Sequence, residues 1–230
     1  MSETCLGLVS AIYTASQIAE NTIQGNIVQG GNTSIFVRAG SVPGFPGKVK
    51  NTKVLANLVS GAAFQGIQVS TRDAVGSSID STTITGNSSS LSDIGIQLFT
   101  NFSAAGSNTS ITNTNVTDNL VSGNDIGILV NPFMGDNNTL TGITIARNTV
   151  TDNNGGIIAD GGETSSNGNL LKVTIKDNTV SGNSFPGGAA GILVRGGLLS
   201  SSNNHVDARI LKERSDGQYR EWNYRARWPG

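Results

Sequence analysis

The sequence predicts an all-β solenoid of about six to seven coils. Three observations predict it. A six-residue phrase recurs, as Asn119-Leu-Val-Ser-Gly-Asn, Asn148-Thr-Val-Thr-Asp-Asn and Asn178-Thr-Val-Ser-Gly-Asn. Aligning the copies puts Ile and Val into columns. Charged residues are only 13% and aromatics 5%, with 30 Gly among 230 residues. A helical bundle needs far more Glu, Lys and Arg on its wet faces.

Taken in chain order, the first Asn of the phrase recurs as Asn26, Asn57, Asn87, Asn119, Asn148 and Asn178, at intervals of 31, 30, 32, 29 and 30. A second landmark follows each anchor: Ser34-Ile35, Gly66-Ile67, Gly95-Ile96, Gly127-Ile128, Gly156-Ile157 and Gly191-Ile192, the last after an insertion around Phe185-Pro186-Gly187-Gly188. Before the anchor stand Ile23, Val54, Ile84, Val116, Ile145 and Ile175; after it stand Val28, Val59, Ser89, Val121, Val150 and Val180. Beyond the landmark come Val37, Val69, Leu98, Val130, Ala159 and Val194. These positions alternate with polar ones such as Thr83, Thr85, Thr149 and Thr151, and Gly, Asn and Asp break the runs, which indicates about three short strands per copy.

One copy is too small to bury its own apolar side. Stacked copies turn each Ile or Val column into a buried row repeating about every 4.8 Å. An Asn recurring with the same period either joins its neighbours through stacked side-chain amides at an inward corner or supplies the left-handed backbone of a turn. Neither role is catalytic.

The phrase Asn-Thr-Val-Ser-Gly-Asn followed by Gly-Ile-Leu-Val resembles the parallel β-helix repeat of the pectate-lyase-like superfamily, over roughly residues 18–206. The resemblance implies a right-handed parallel β-helix with three parallel sheets. It also implies a choice among polysaccharide lyases, glycoside hydrolases, uronate epimerases, tailspikes and non-catalytic surface proteins, which fold alone does not make.

Residues 1–206 are expected to hold the repeats. The first coil is incomplete, because Gly7-Leu8-Val9-Ser10 reads as the end of a copy and no capping helix precedes it. Residues 207–230 carry ten charged residues, both Trp (Trp222, Trp228), Tyr219 and Tyr224. They read as a degenerate last coil with a cap, with Val206 and Leu211 in apolar slots, Arg209 in the anchor slot and Gly217 in the glycine slot. A tail of foreign origin, or a basic-aromatic patch stacking sugars or nucleic acid, are the other readings. An uncapped coil end predicts self-association. Cys5 and His205 are each the single residue of their type, which excludes an intrachain disulfide and a Cys- or His-rich metal cage. The net charge of −1 and the lack of an 18-residue apolar run give no nucleic-acid or membrane partner. No signal peptide is visible, although the resemblance implies a secreted or cell-surface parent protein.

The longest connections, 70–81, 99–113, 131–142, 160–172 and 195–203, leave equivalent points and crowd one side, where a rigid scaffold carries function. Directly after the landmark strand stand Arg38, Ser70, Phe99, Asn131, Asp160 and Arg195 on successive copies, and Asp160-Gly-Gly-Glu163 adds a second carboxylate. Asp160, Glu163 and Arg195 are the candidate catalytic residues. Asn131, Asp160 and Glu163 are the candidate ligands of a Ca2+, a cation that prefers oxygen donors. The resemblance implies Ca2+-assisted lyase chemistry or acid–base hydrolysis by paired carboxylates; a surface Arg195–Asp160 ion pair without activity is the plain alternative. Asp118, Arg147 and Asp177 form a charge ladder, and Asp93 and Asp125 share a turn column. The expected function is a carbohydrate-active hydrolase or lyase acting on a polysaccharide or other small substrate. The alternative is a non-catalytic glycan-binding or adhesive module. Thr22, Lys53, Thr83, Asn115, Thr144 and Thr174 are too irregular a row for ice binding.

Overall fold

The computed structural model describes residues 17–40, 45–72, 75–101, 107–163, 166–184, 191–197, 201–215 and 218–227, and for 215 and 218–227 the backbone alone. It is a parallel β-solenoid of about six turns, and no described residue is helical. The first four described coils each run through three three-residue strands and one longer one, as in Ser78–Asp80, Thr83–Thr85, Ser88–Ser90 and Ile94–Thr100; in the later coils the first two short strands merge, as in Thr139–Ala146 and Leu170–Lys176. The short strands stack into an 18-stranded sheet that turns two corners, the long ones into a six-stranded sheet, and Gly135–Asp136 with Ser166–Asn167 into a third.

The corners explain why the strands are so short. After each strand one residue takes positive φ: Ser81 at 59°, Gly86 at 66° and Leu91 at 56° in this coil. The next residue points inward and is polar and buried: Thr82, Asn87 and Ser92. Between corners, alternation sends one residue of each short strand into the core. The predicted columns pair in register: Ile84 lies beside Val54 and Val116, and Ile128 beside Ile96 and Ile157. Most of these side chains are fully buried. The landmark glycine exists to make room. A Cβ on Gly127 would lie 2.5 Å from the Val150 Cγ1 of the next coil.

The anchors form an amide ladder. Each anchor Nδ2 and backbone N–H donates to the Oδ1 of the next, from Asn26 through Asn57, Asn87, Asn119 and Asn148 to Asn178, at 2.9–3.0 Å. Each Nδ2 also donates to a backbone carbonyl, as Asn148 does to Val116. Both readings of the anchor therefore meet here: the side chains stack, and the positive-φ residue is the one just before. Two further ladders escaped the sequence reading. Ser92, Asn124, Asn153 and Asn183 make one; Asn138, Asn169 and Asn204 make the other, with Asn101 and Thr109 donating to Asn138.

The C-terminal register differs from expectation. The strand His205–Ser215 continues the parallel stack across residue 206, pairing Leu171 with Val206 and Ile175 with Ile210. Glu213, not Arg209, takes the anchor slot and accepts from Asn178 Nδ2 at 3.3 Å. Arg209 points out beside Thr174, and Leu211 lies beside Lys176 instead of filling the apolar slot. The physical reason is that an anchor must accept two N–H bonds, which a carboxylate can do and a guanidinium cannot. Gln218–Arg227 then turns back antiparallel on this strand. Gly7, Leu8, Val9, Ser10, Cys5, Gly187, Gly188, Gly217 and Trp228 lie outside the described residues, as do the side chains of Tyr219, Trp222 and Tyr224.

Candidate functional site

Stacking brings the predicted row together. Ser70 lies beside Phe99, Phe99 beside Asn131, and Asp160 beside Arg195 in the six-stranded sheet. Their side chains point away from the core, yet Ser70, Asn131 and Asp160 are fully buried. The connection after Asp160 accounts for part of this. Gly161 N–H donates to the Arg195 carbonyl at 2.9 Å, and Glu163 N–H to the Phe133 carbonyl at 3.1 Å, so the turn lies across the row. Gly162 has a φ of 148°, and a Cβ there would come within 2.2 Å of Ser166 Oγ, so no other residue fits the turn.

Each Asp160 oxygen accepts one hydrogen bond. Arg195 Nε donates to its Oδ2 at 2.6 Å, and Gly162 N–H donates to its Oδ1 at 3.2 Å. Burial pushes the Asp160 carboxyl up, with the Arg195 charge and hydrogen bond pulling against it. Glu163 is half-buried and accepts from Asn131 Nδ2 at 3.3 Å. Burial also pushes Glu163 up, the Asp160 charge adds to this, and Arg195 opposes it. The row thus couples two carboxyls in one microenvironment. Asn131 Oδ1 is buried without a hydrogen-bond partner. Phe99 and Phe133 meet edge to face beside the row, with centroids 6.2 Å apart.

This donor set does not fit Ca2+, which takes six to eight oxygens. Asp160, Glu163 and the Asn131 carbonyl together supply fewer oxygens than that, and both Asp160 oxygens already accept a hydrogen bond. Among the described residues no group of three or more His, Cys, Asp or Glu side chains converges. Of the other candidates, Arg147 grips Asp118 through both nitrogens at 2.7–2.8 Å on the surface, and Asp125 accepts from Asn154 at 2.8 Å.

A second feature was not foreseen. A hollow of about 230 Å³ opens on the outer face of the large sheet, lined by Gly142, Thr144, Lys172, Thr174, Asp207 and Arg209. It arises where a corner disappears. In the coil of Leu140 the chain bulges at Thr141-Gly142 before Ile143; in the next coil Leu170–Lys176 runs straight. The signal was present in the spacing: five residues separate Ile111 from Val116 and Leu140 from Ile145, but four separate Leu171 from Ile175. No family model matches the chain, and no curated protein or solved structure is significantly similar to it.

Proposed function

We propose that this protein is a non-catalytic binding module, a pectate-lyase-like β-helix that grips polysaccharide on the outer face of its large sheet. The hollow carries the reading. It offers the Thr144 and Thr174 hydroxyls, the Lys172 and Arg209 cations and the Asp207 carboxylate within one shallow, solvent-open depression. A saccharide needs such a mixture of donors and acceptors beside a flat wall. The buried Asp160 supports it from the other side, since a carboxylate with no exposed surface that already holds Arg195 and the Gly162 N–H is poorly placed to reach substrate. A secreted or surface-attached parent protein suits this role. The test is a glycan array with the full chain, followed by Arg209→Ala and Thr174→Lys. Binding to at least one polysaccharide, weakened tenfold or more by either change, is expected; no binding on the array overturns the reading.

A second reading, a hydrolase or lyase, draws on Glu163. A carboxyl held up by burial and by a neighbouring acid suits a proton donor. Arg195 would hold an acidic substrate group, and Asp160 would position Arg195. Turnover of a polysaccharide that disappears in Glu163→Gln, with and without added Ca2+ and chelator, is the outcome that would favour it over binding alone.

A further inference from the structure

The amide ladder has a direction. Every anchor donates toward the C-terminus and accepts from the N-terminal side, so the last member needs only to accept. That member is Glu213, on the strand that begins the antiparallel pair His205–Ser215 and Gln218–Arg227. Glu213 is 3% exposed. Its Oε1 accepts from Asn178 Nδ2 at 3.3 Å, and the Asn178 backbone N–H also donates to the carboxyl. Its Oε2 is buried with no hydrogen-bond partner among the described residues.

An ionised carboxylate with one oxygen buried and unsolvated is costly, whereas a neutral one keeps its acceptor oxygen for the ladder. Among the described side chains around it, none offers a charge that offsets that cost. Asp177, at the corner beside Asn178, has the same sign. Lys212 and Arg214 flank Glu213 on its own strand but are exposed to water, where their fields are screened. Arg220 holds the position opposite in the antiparallel register.

We propose that Glu213 is a protonation-controlled latch: in its neutral form it fastens the C-terminal β-hairpin to the last full coil, and on ionising it lets the hairpin lift. Burial pushes the Glu213 carboxyl up to about 7, with Asn178 pulling it down and Asp177 pushing it further up. The unfolded value is near 4.5. Between the two, the latched form holds more protons than the released form, so latching weakens as pH rises through this window and is weakest above 7. Release uncovers the edges of Leu170–Lys176 and Thr179–Ser181, which the strand His205–Ser215 otherwise pairs. Such an edge recruits further strands, so the latch also governs end-to-end association.

The hairpin carries Arg209, Lys212, Arg214, Arg220, Arg225 and Arg227, all trypsin sites. Cleavage there, timed against a reference peptide to correct for the pH dependence of trypsin, reads opening directly. From the two values above, opening of the wild-type hairpin rises about tenfold between pH 6 and pH 8. Glu213→Gln, which keeps the acceptor and cannot ionise, is expected to hold one ratio at both pH values and, from the same two values, to open about thirtyfold less than the wild type at pH 6. A wild-type hairpin cleaved equally at both pH values overturns the latch, as does a Gln variant that keeps the tenfold change. Amide hydrogen exchange of the wild-type hairpin over the same range, corrected for intrinsic rates, decides the matter alone if the variant does not fold.

Discussion

The outer faces of the two main sheets differ although their inner faces are alike. Both sheets turn Ile and Val inward to full burial. On the large sheet the outward residues meet water: Ile27, Leu58 and Leu120 are 41–47% exposed, among Ser, Thr and Asn neighbours. On the six-stranded sheet the outward Phe36, Gln68, Gln97, Leu129 and Ile158 are 5–8% exposed. Gln68 donates to Gln97 at 3.4 Å, and the Arg38 guanidinium lies 3.8 Å over the Phe36 ring. Alternation therefore decides which side chains enter the coil. It does not decide whether the others are dry, which differs between the two sheets.

This contrast can be broken or sharpened by substitution, read as urea midpoints at constant slope. The largest effect belongs to the ladder common to both faces. Asn148→Ala removes two acceptor bonds to Asn119 and two donor bonds, to Asn178 and Val116. About 3 kcal/mol should be lost, because the remaining groups stay buried and unpaired. Next comes Leu129→Ala, on the dry outer face, at about 2–3 kcal/mol, a core-like cost for an outward residue. A loss below about 0.5 kcal/mol would mean that this face is wet in solution. Ser89→Val should change stability by less than about 1 kcal/mol, because the added apolar burial is offset by losing the Ser89 Oγ hydrogen bond to the Gly95 carbonyl at 2.9 Å. Ser89 is the one hydroxyl in a Val column, and the neighbouring Val121 and Val150 already fit against Gly95 and Gly127. The smallest effect is Leu120→Ala, on the open face, within about 0.5 kcal/mol. If Leu120 and Leu129 cost the same, the difference between the faces does not hold.

Much of the fold was legible because solenoid contacts are periodic. The columns through Ile84 and Ile128 needed only the spacing. So did the row of Asn131, Asp160 and Arg195, which pairing register places on successive coils. What spacing does not carry is cover. The turn that seals Asp160 depends on Gly161 and Gly162 lying across the next coil, a three-dimensional fact. The second ladder is present in the phrase itself, whose closing Asn is Asn124, Asn153 or Asn183. The last coil misled for a different reason. Equal spacing points to Arg209 as the anchor, yet the ladder accepts only a group with free lone pairs and so waits four residues for Glu213.

The landmark glycines have an evolutionary consequence. Because Gly95, Gly127 and Gly156 each leave a recess for the Val of the next coil, duplicating about thirty codons there would insert a floor that fits both neighbours without redesign. The rod would lengthen by roughly 4.8 Å per duplication, and its reach becomes something a genome can adjust in whole units by unequal recombination.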